Sequence, residues 1–357
     1  MSNRLTQLSD QLKEASLDAI LITRLTHIRY LTGFSGSAGI LLVTSAGRAV
    51  FITDFRYQEQ IAGELLPGVE GIIEPAPYQR LVADGIVAPG MSVGFQETYV
   101  TVAALEGLKK AFRRVKLEKT GSMVEDLTMI KTDSEVASIK KAADMAAKVY
   151  KEILAIVKPG MRENEVAMEI SYLGKKFGSE GDAFGIIVAS GARGALPHGR
   201  ASTKKIRKGE MVTLDFGCIH NGFNSDMTRT FAVGKPNDEA RSIYDIVLRS
   251  QIKGVAAARA GMTGKELDDV CRDEIAAAGY GAEFGHGTGH GLGIDVHEGP
   301  GISFRGEGQI LKPGMVVTIE PGIYIPNRCG VRIEDDVVIT GNGCRVLTRA
   351  PKDLIII

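Results

Sequence analysis

The sequence has little of what marks a membrane-bound, secreted or nucleic-acid-binding protein. Its 43 Lys and Arg residues balance 43 Asp and Glu residues, so no bulk charge favours binding to nucleic acid or membrane surfaces. It lacks a run of 18 apolar residues, which excludes a membrane-spanning helix. The first residues also lack the apolar core and cleavage site of a signal peptide. We therefore expect neither nucleic acid nor a membrane among its partners.

Cysteine is also scarce. Only four cysteines occur in 357 residues, and no two of them form a CxxC pair. This number is typical of reduced thiols and argues against a framework of disulfides. We therefore expect a cytoplasmic protein.

Glycine, in contrast, is abundant, with 43 residues. Five glycines between Gly285 and Gly293 forbid a stable helix there, so the histidines among them cannot form a helical HExxH zinc site. No three of these glycines have the GxGxxG spacing, which disfavours dinucleotide binding. Glycines at this density instead allow close backbone approach, with imidazoles projecting into a cleft.

The length and the pattern of elements predict two domains. At roughly 150 residues per domain, 357 residues suggest two. Residues 1–126 alternate helices with short apolar strands, as in an α/β domain. Residues 127–157 are typical of a long amphipathic helix, with Thr132 and Glu135 as its capping-box start. We place the domain boundary near residue 127.

The second domain contains an internal repeat. Gly160-Met161 and Gly261-Met262 each precede a helical stretch, and about 50 residues later come GEMVTLDFG and GMVVTIEPG. Aligning these segments pairs Asp215 with Glu320. Duplication predicts a pseudo-twofold domain whose site lies between the halves, although a strand ending in an acid before glycine is also common.

The first candidate site residues lie in a predicted β-hairpin. Asn221-Gly222 is a strong turn signal, and pairing outward from it sets Asp215 opposite Thr228. Asp226 is then on the same face as Asp215, as a diagonal neighbour. Two carboxylates on one buried face repel each other, so a metal ion between them would make the arrangement tolerable.

Three further candidate ligands follow along the chain. His290 lies in the glycine-rich stretch, and Glu320 and Glu334 stand among apolar β-strand residues. Four carboxylates and one imidazole suit two divalent cations, with Mn²⁺ favoured and Co²⁺, Fe²⁺ or Zn²⁺ as alternatives. A hydroxide bridging two such ions would be the nucleophile of a hydrolase. His198 is a further candidate for the cleft.

Seven segments in this order resemble the pita-bread metallopeptidases of the Xaa-Pro branch, aminopeptidase P and prolidase. They are PHG (197–199), LDFG (214–217), SDMTRTF (225–231), HGTGHGLG (286–293), VHEGP (296–300), TIEPGIYIP (318–326) and RIEDD (332–336). IRYLTGFSGSAG (28–39) and TDFRYQEQ (53–60) resemble the N-terminal domain of the same branch. The resemblance implies an α+β protein: a creatinase-like α/β domain over 1–126 and a pseudo-twofold pita-bread catalytic domain over 127–357.

The resemblance also implies a role for each site residue. Asp215 would chelate one metal ion, Asp226 and Glu334 would bridge two, and His290 and Glu320 would complete the shell. Glu320 would also carry a proton. His198 and His297 would contact the scissile carbonyl or the proline, His286 would be a further pocket histidine, and Arg332 would orient the acidic ligands. The substrates would be peptides with proline in the second position, and the protein would be a homodimer.

Several alternatives stay open. A methionine aminopeptidase shares the ligands but usually lacks the N-terminal domain, whereas a creatinase-type amidinohydrolase shares both domains without the ligands. A catalytically inactive pita-bread binding module would have lost ligands. A dipeptidase needs a cation for the substrate carboxylate, but Gly301 stands where relatives often carry arginine, and Arg305 is nearby. Dipeptidase and aminopeptidase are therefore both open.

Overall fold

The computed structural model describes residues 3–306 and 308–357. The chain forms two compact units, Met1–Thr128 and Met129–Ile357. Within the described residues, every helix is too short or too polar to cross a lipid bilayer. This observation agrees with the lack of a long apolar run in the sequence.

The first unit is built on one six-stranded sheet. Its spatial order is β4-β3-β2-β1-β5-β6, with β1 paired antiparallel to β2 and parallel to β5. The strands are β1 Ala19–Ile22, β2 Ile40–Thr44, β3 Ala49–Thr53, β4 Val69–Ile73, β5 Ser92–Phe95 and β6 Lys116–Lys119. The helices are α1 Asn3–Glu14, α2 Leu25–Thr32, α3 Gln58–Glu64, α4 Pro77–Ala83, α5 Val102–Ala111 and α6 Met123–Met129.

Both faces of this sheet are covered, which explains its continuous apolar strands. Ile20 packs into a core with Leu5 and Leu8 of α1, while its neighbour Leu21 packs into a second core with Leu81 and Leu108. Successive side chains of a strand point to opposite faces, so a strand buried on both sides needs no polar residue. The α/β character expected for this part of the chain is confirmed.

Within the described residues, the second unit contains four long helices, and the first of them begins at the predicted cap. They are α7 Asp133–Ile156, α8 Glu163–Lys176, α9 Asp238–Ala257 and α10 Gly264–Ala277. The capping-box start predicted at Thr132 and Glu135 is confirmed. Residues 127–129 belong instead to α6, and Ile130 forms a β-bridge with Met315 that separates α6 from α7.

Each half of the second unit pairs two helices with a sheet. The first sheet has the order β11-β8-β7, and the second has the order β13-β12-β14-β17-β18. The strands of the first half are β7 Ile187–Ser190, β8 Glu210–Phe216, β9 Ile219–His220, β10 Phe223–Asn224 and β11 Met227–Val233. Those of the second are β12 Gly289–Gly291, β13 Glu298–Ile302, β14 Val316–Ile319, β15 Gly322–Ile325, β16 Cys329–Arg332, β17 Asp335–Ile339 and β18 Cys344–Val346. The order helix pair, then sheet, occurs twice, as the repeat predicts.

The predicted hairpin has the predicted register. Asp215 pairs with Thr228, and His220 pairs with Phe223 beside the turn. Asn221 and Gly222 both have positive φ, at 52° and 77°, as a two-residue hairpin turn requires. The local turn chemistry therefore sets which residues of β8 and β11 face the same side.

The glycine-rich stretch contains β12, a short strand that lies between β13 and β14 in the sheet. A Cβ atom on Gly291 would lie 2.0 Å from the carbonyl oxygen of Gly299, and one on Gly289 would lie 2.1 Å from that of Thr318. Glycine is needed here because the neighbouring backbones approach too closely for any side chain. The strand thereby carries His290 between two larger strands.

Candidate metal centre

All nine predicted site residues line one cavity of about 540 Å³ in the second unit. A cavity of this size is ordinary for a site that binds a small molecule. The residues are His198, Asp215, Asp226, His286, His290, His297, Glu320, Arg332 and Glu334. Cys218 and His220, which lie near the turn of the same hairpin, do not line it, and neither does Arg305.

The two halves of the unit contribute the carboxylates from corresponding places. Asp215 lies on β8 and Asp226 directly precedes β11, whereas Glu320 directly follows β14 and Glu334 directly precedes β17. The hairpin of each half therefore delivers one acid from each of its two strands. Thr228 joins the halves, because its hydroxyl donates to Glu334 Oε2 over 2.7 Å.

Several carboxylate oxygens in the cavity are buried without a hydrogen-bond donor. Among the described residues, Asp215 Oδ1, Asp226 Oδ1 and Glu334 Oε1 have no partner. A buried polar atom without a partner costs free energy, and an ionised one costs much more. These oxygens therefore fit a cation, which would supply the missing interaction.

Burial and mutual repulsion make the ionised state of these acids unfavourable when no cation is present. Burial, followed by the charge of Glu334, raises the pKa of Asp226 well above its usual range. Burial and the charge of Glu320 do the same to the pKa of Glu334. Burial also raises the pKa of Glu320 to about 7, although the neighbouring Arg332 opposes this shift. Divalent cations would reverse this balance by compensating the charges.

His290 presents a ring nitrogen to the acids. Its Nδ1 lies 3.1 Å from the Gly291 carbonyl oxygen, which only accepts, so Nδ1 carries the proton. Nε2 is then left with its lone pair, 3.3 Å from Glu320 Oε1 and 3.7 Å from Asp226 Oδ2. One ligand atom each of Asp226, His290 and Glu334 lie within 4.8 Å of one another. This spacing suits shared coordination of a metal ion.

Arg332 is buried and fully engaged. Its Nη2 donates to Asp215 Oδ2 over 2.6 Å, and its Nε donates to the Thr228 hydroxyl over 3.0 Å. Its Nη1 donates to the hydroxyl of Tyr324 and to the carbonyl of Pro197. The guanidinium therefore orients Asp215 through one oxygen and leaves the other oxygen, Oδ1, without a donor.

His286 also lines the cavity, but both of its nitrogens bind protein atoms. The Tyr324 hydroxyl accepts from Arg332, so it donates to His286 Nε2 over 2.8 Å. Nδ1 then donates to the Gly287 carbonyl over 2.7 Å. Burial lowers the pKa of His286 to about 4, so the ring is neutral. This residue orients its surroundings, and its nitrogens are not available to a substrate.

His198 and His297 lie on loops at the side of the cavity and are exposed. The ring of His297 packs on His290, with the ring centroids 4.1 Å apart. His198 follows Pro197, whose carbonyl is held by Arg332. Both histidines are therefore placed next to the acidic cluster yet open to a ligand.

Sequence reasoning missed three residues that hold the site together. Thr228 bridges Arg332 and Glu334, Tyr324 joins Arg332 to His286, and Asp336 accepts from the backbone N–H of Asp226 over 3.1 Å. The hairpin register could have indicated Thr228, because it sets this hydroxyl opposite Asp215. Nothing local indicates the contact of Tyr324 with His286 or that of Asp336 with Asp226, because these partners are 38 and 110 residues apart along the chain.

The chain is similar to known proteins over almost its whole length. The chain is 39% identical to the Xaa-Pro dipeptidase of Pyrococcus furiosus, over 99% of this chain and 100% of that protein. Its fold is similar to the solved Xaa-Pro dipeptidase of Bacillus anthracis, with a TM-score of 0.94, 43% identity and 99% of each chain covered. The X-Pro aminopeptidase of Thermotoga maritima gives a TM-score of 0.90 at 35% identity, covering 98% of this chain and 100% of that one.

Two family models divide the chain between them. Residues 4–130 match the Creatinase/Prolidase N-terminal domain, and residues 137–341 match the metallopeptidase family M24. The second match contains all nine predicted site residues that line the cavity, and metallopeptidases of this kind use a divalent metal. The chain therefore belongs to metallopeptidase family M24, with a creatinase/prolidase N-terminal domain in front of its catalytic domain.

Proposed function

We propose that this protein hydrolyses the peptide bond between an N-terminal residue and a following proline, using divalent metal ions. The observation that carries this proposal is the meeting of four acids and one histidine in one cavity, with three buried oxygens lacking donors. The relatives named for Xaa-Pro activity, which the chain matches over nearly its full length, support the substrate class.

We propose two metal ions per chain, held by Asp215, Asp226, His290, Glu320 and Glu334. Asp226 and Glu334 would each serve both ions, one from each half of the repeat. Oxygen-rich ligands with one imidazole favour Mn²⁺, with Co²⁺, Fe²⁺ and Zn²⁺ as alternatives. When bound, such ions supply a Lewis acid for the scissile carbonyl and an activated water as nucleophile.

The protein's own residues would bind and orient the substrate around this centre. The free amino group of the substrate would lie beside the acidic cluster, which attracts a cation. His198 and His297 would donate hydrogen bonds to the scissile carbonyl and to the proline side of the substrate. Glu320 would pass a proton to the proline nitrogen as the bond breaks, and Arg332 would keep Asp215 in place.

Proline in the second position gives a physical basis for selection. The Xaa-Pro amide has no N–H, and the ring fixes φ of proline while restricting the residue before it. A pocket shaped for this ring therefore selects a restricted backbone at little entropic cost. The methionine aminopeptidase alternative is disfavoured by the creatinase/prolidase N-terminal domain. The inactive binding module is disfavoured because no candidate ligand is missing.

The test is hydrolysis of Ala-Pro and Ala-Pro-Ala by protein treated with chelator and then loaded with one metal at a time. We expect activity to vanish with chelator and to return best with Mn²⁺ or Co²⁺, at two ions per chain. Metal analysis of an active preparation that finds no transition metal would exclude the proposed centre. Cleavage of Met-Ala-Ser in preference to both proline peptides would instead favour a methionine aminopeptidase.

We also propose a cytoplasmic location and a homodimer. All four cysteines are free, and three of them are buried, which suits a reducing compartment. The homodimer rests on the family resemblance alone. Cell fractionation and light scattering of the purified protein test these two proposals separately.

A further inference from the structure

Two arginines line the cavity, and they differ in what they bind. Arg332 is buried and donates from all three of its guanidinium nitrogens to protein atoms. Arg200 is exposed, and its guanidinium makes no hydrogen bond or ion pair within residues 3–306 and 308–357. The cavity therefore contains one structural cation and one cation available to a ligand.

The backbone of Arg200 is held firmly although its side chain is free. Its carbonyl oxygen accepts from Arg193 Nη2 over 2.6 Å, and the residue forms a β-bridge with Ile187, another cavity residue. Because the backbone of Arg200 is already anchored, only the rotamers of its side chain have to be fixed when a ligand binds.

Glu163 fixes the loop that carries Arg200 and His198. This carboxylate is fully buried at the first turn of α8. It accepts from the backbone N–H and the hydroxyl of Ser190 on one side of the loop, and from those of Ser202 on the other. It also accepts from Arg193 Nε over 2.9 Å. One carboxylate thus holds both ends of the segment 190–202.

We propose that Arg200 binds the free C-terminal carboxylate of an Xaa-Pro dipeptide and so makes this protein a dipeptidase. This assignment rests on the proposed function. A dipeptide carries a positive amino end and a negative carboxyl end, and the cavity is polarised in the matching sense. The acids are buried at the metal centre, and Arg200 is exposed at the cavity wall. A guanidinium can hold a carboxylate through two parallel hydrogen bonds.

Arg305, the cation that the sequence suggested for this task, is less suited to it. Its neighbour Ser303 lines the cavity, but Arg305 does not. Its guanidinium carbon instead lies 5.2 Å from the ring centroid of Phe304, an exposed residue. Arg305 is therefore the matched control for Arg200: the same residue type, near the same cavity, without a place in its lining.

The experiment compares Ala-Pro with Ala-Pro amide, which lacks the carboxylate, on the metal-loaded full-length enzyme. For Arg200→Gln we expect KM for Ala-Pro to rise by about 10- to 100-fold, the usual cost of losing a charge-assisted hydrogen bond. KM for the amide should change less than about twofold, because Arg200 has no partner in that complex. For Arg200→Lys, KM for Ala-Pro should lie between those of the wild type and Arg200→Gln, since lysine keeps the charge but lacks the two parallel donors of the guanidinium.

Two controls make the result decisive. Arg305→Gln should leave both substrates unchanged, and all variants should bind the same amount of metal. Equal changes for the two substrates in Arg200→Gln, no change in either, or an Ala-Pro-specific defect in Arg305→Gln would each overturn the assignment. A wild-type enzyme that cleaves neither substrate would reject the proposed function itself, and the assignment with it.

Discussion

Glu334 and Asp335 are adjacent and both buried, yet the protein surrounds them differently. Asp335 accepts from Arg229 over 2.7 Å, from Gln251 over 3.0 Å and from Lys352 over 2.7 Å. Among the described residues, the Glu334 carboxylate accepts only from the Thr228 hydroxyl, through Oε2, and its Oε1 has no donor. Asp335 belongs to a saturated ion-pair cluster, whereas Glu334 belongs to a group of carboxylates that face one another.

The comparison separates two reasons for burying a charge. The Arg229–Asp335 pair supplies its own countercharge, so it needs nothing from outside the protein. The Glu334 group has more negative charge than Arg332 can balance, and burial, together with this excess charge, raises the pKa values of Asp226 and Glu334. A saturated cluster indicates structure, whereas several buried carboxylates that face one another with donorless oxygens fit a cation site. Sequence neighbours can therefore serve opposite purposes, because alternate residues of a strand face opposite sides.

The largest expected effect, on metal content and kcat, follows from removing the charge of a proposed metal ligand. Asp226→Asn and Glu334→Gln should each lose at least one metal ion and lower kcat for Ala-Pro by about 10³-fold or more. A catalytic cation contributes several kcal/mol to the transition state, and about 1.4 kcal/mol corresponds to a factor of ten. The fold should survive, because neither β-strand needs the charge. Metal analysis beside Ala-Pro hydrolysis measures both effects.

His220→Ala is the control, because His220 lies in the same hairpin as Asp226 but outside the cavity lining. It should keep both metal ions and most of the activity. Two retained ions and normal turnover in Asp226→Asn would show that the dinuclear interpretation is wrong.

For Asp335, in the saturated cluster, the comparison predicts a change in the free energy of unfolding. Asp335→Ala leaves the buried guanidinium of Arg229 without its countercharge, and breaking such a pair costs about 3–5 kcal/mol. Urea unfolding of the metal-free protein should reveal this loss, while Glu334→Gln should be as stable as the wild type or more so. Similar losses in both variants would mean that the two clusters do not differ in kind.

Substitution of the exposed histidines should lower kcat by a smaller factor and leave metal content unchanged. His198→Ala and His297→Ala should lower kcat by about 10²-fold, as expected for losing a hydrogen-bond donor to the reacting carbonyl or an acid–base group. Metal content should stay nearly unchanged, because neither residue is in the proposed ligand set. Wild-type rates in both variants would make these histidines structural.

The parts of the fold that local chemistry determines could be predicted from the sequence. Asn221-Gly222 fixed the hairpin register, and with it the pairing of Asp215 with Thr228. The capping box at Thr132 was also real. The helical pattern of residues 127–131 does not join α7, because Ile130 and Lys131 contact distant partners, Met315 and Glu298. Helical periodicity does not report such contacts.

The cavity shows the same limit. The candidate ligands could be proposed because acids among apolar strand residues are unusual and need a reason. The residues that orient them could not, because Tyr324, Asp336 and Glu163 are defined by partners brought close only by folding. Arg200 gave no signal either, since an arginine in a loop is ordinarily a solvated surface residue. Residue type and spacing indicate which side chains could bind a ligand or react. Only the fold shows which of them have no protein partner and are available to a ligand.

The smallest expected effect concerns Glu163. Its carboxylate, like that of Asp335, has donors on both oxygens, but its partners belong to the segment 190–202, which includes the cavity residues His198 and Arg200. In Glu163→Gln the new amide would face the donors of Arg193 and Ser202, so the loop holding His198 should loosen. We expect kcat/KM for Ala-Pro to fall by about 10-fold, within the range seen when a residue that orients a site is lost. Metal content should not change.

The control is Glu165→Gln, the same substitution on the same helix at a partly exposed residue that caps α8 and, within the described part of the chain, makes no hydrogen bond or ion pair with the segment 190–202. It should cost some stability and leave kcat/KM unchanged. Glu163→Asp should recover part of the activity, because it restores an acceptor with the right charge. If Glu163→Gln only lowered the midpoint of unfolding, with full kcat/KM well below that midpoint, Glu163 would support the fold without positioning the site. A buried carboxylate with donors on both oxygens would then indicate a structural role only, as at Asp335.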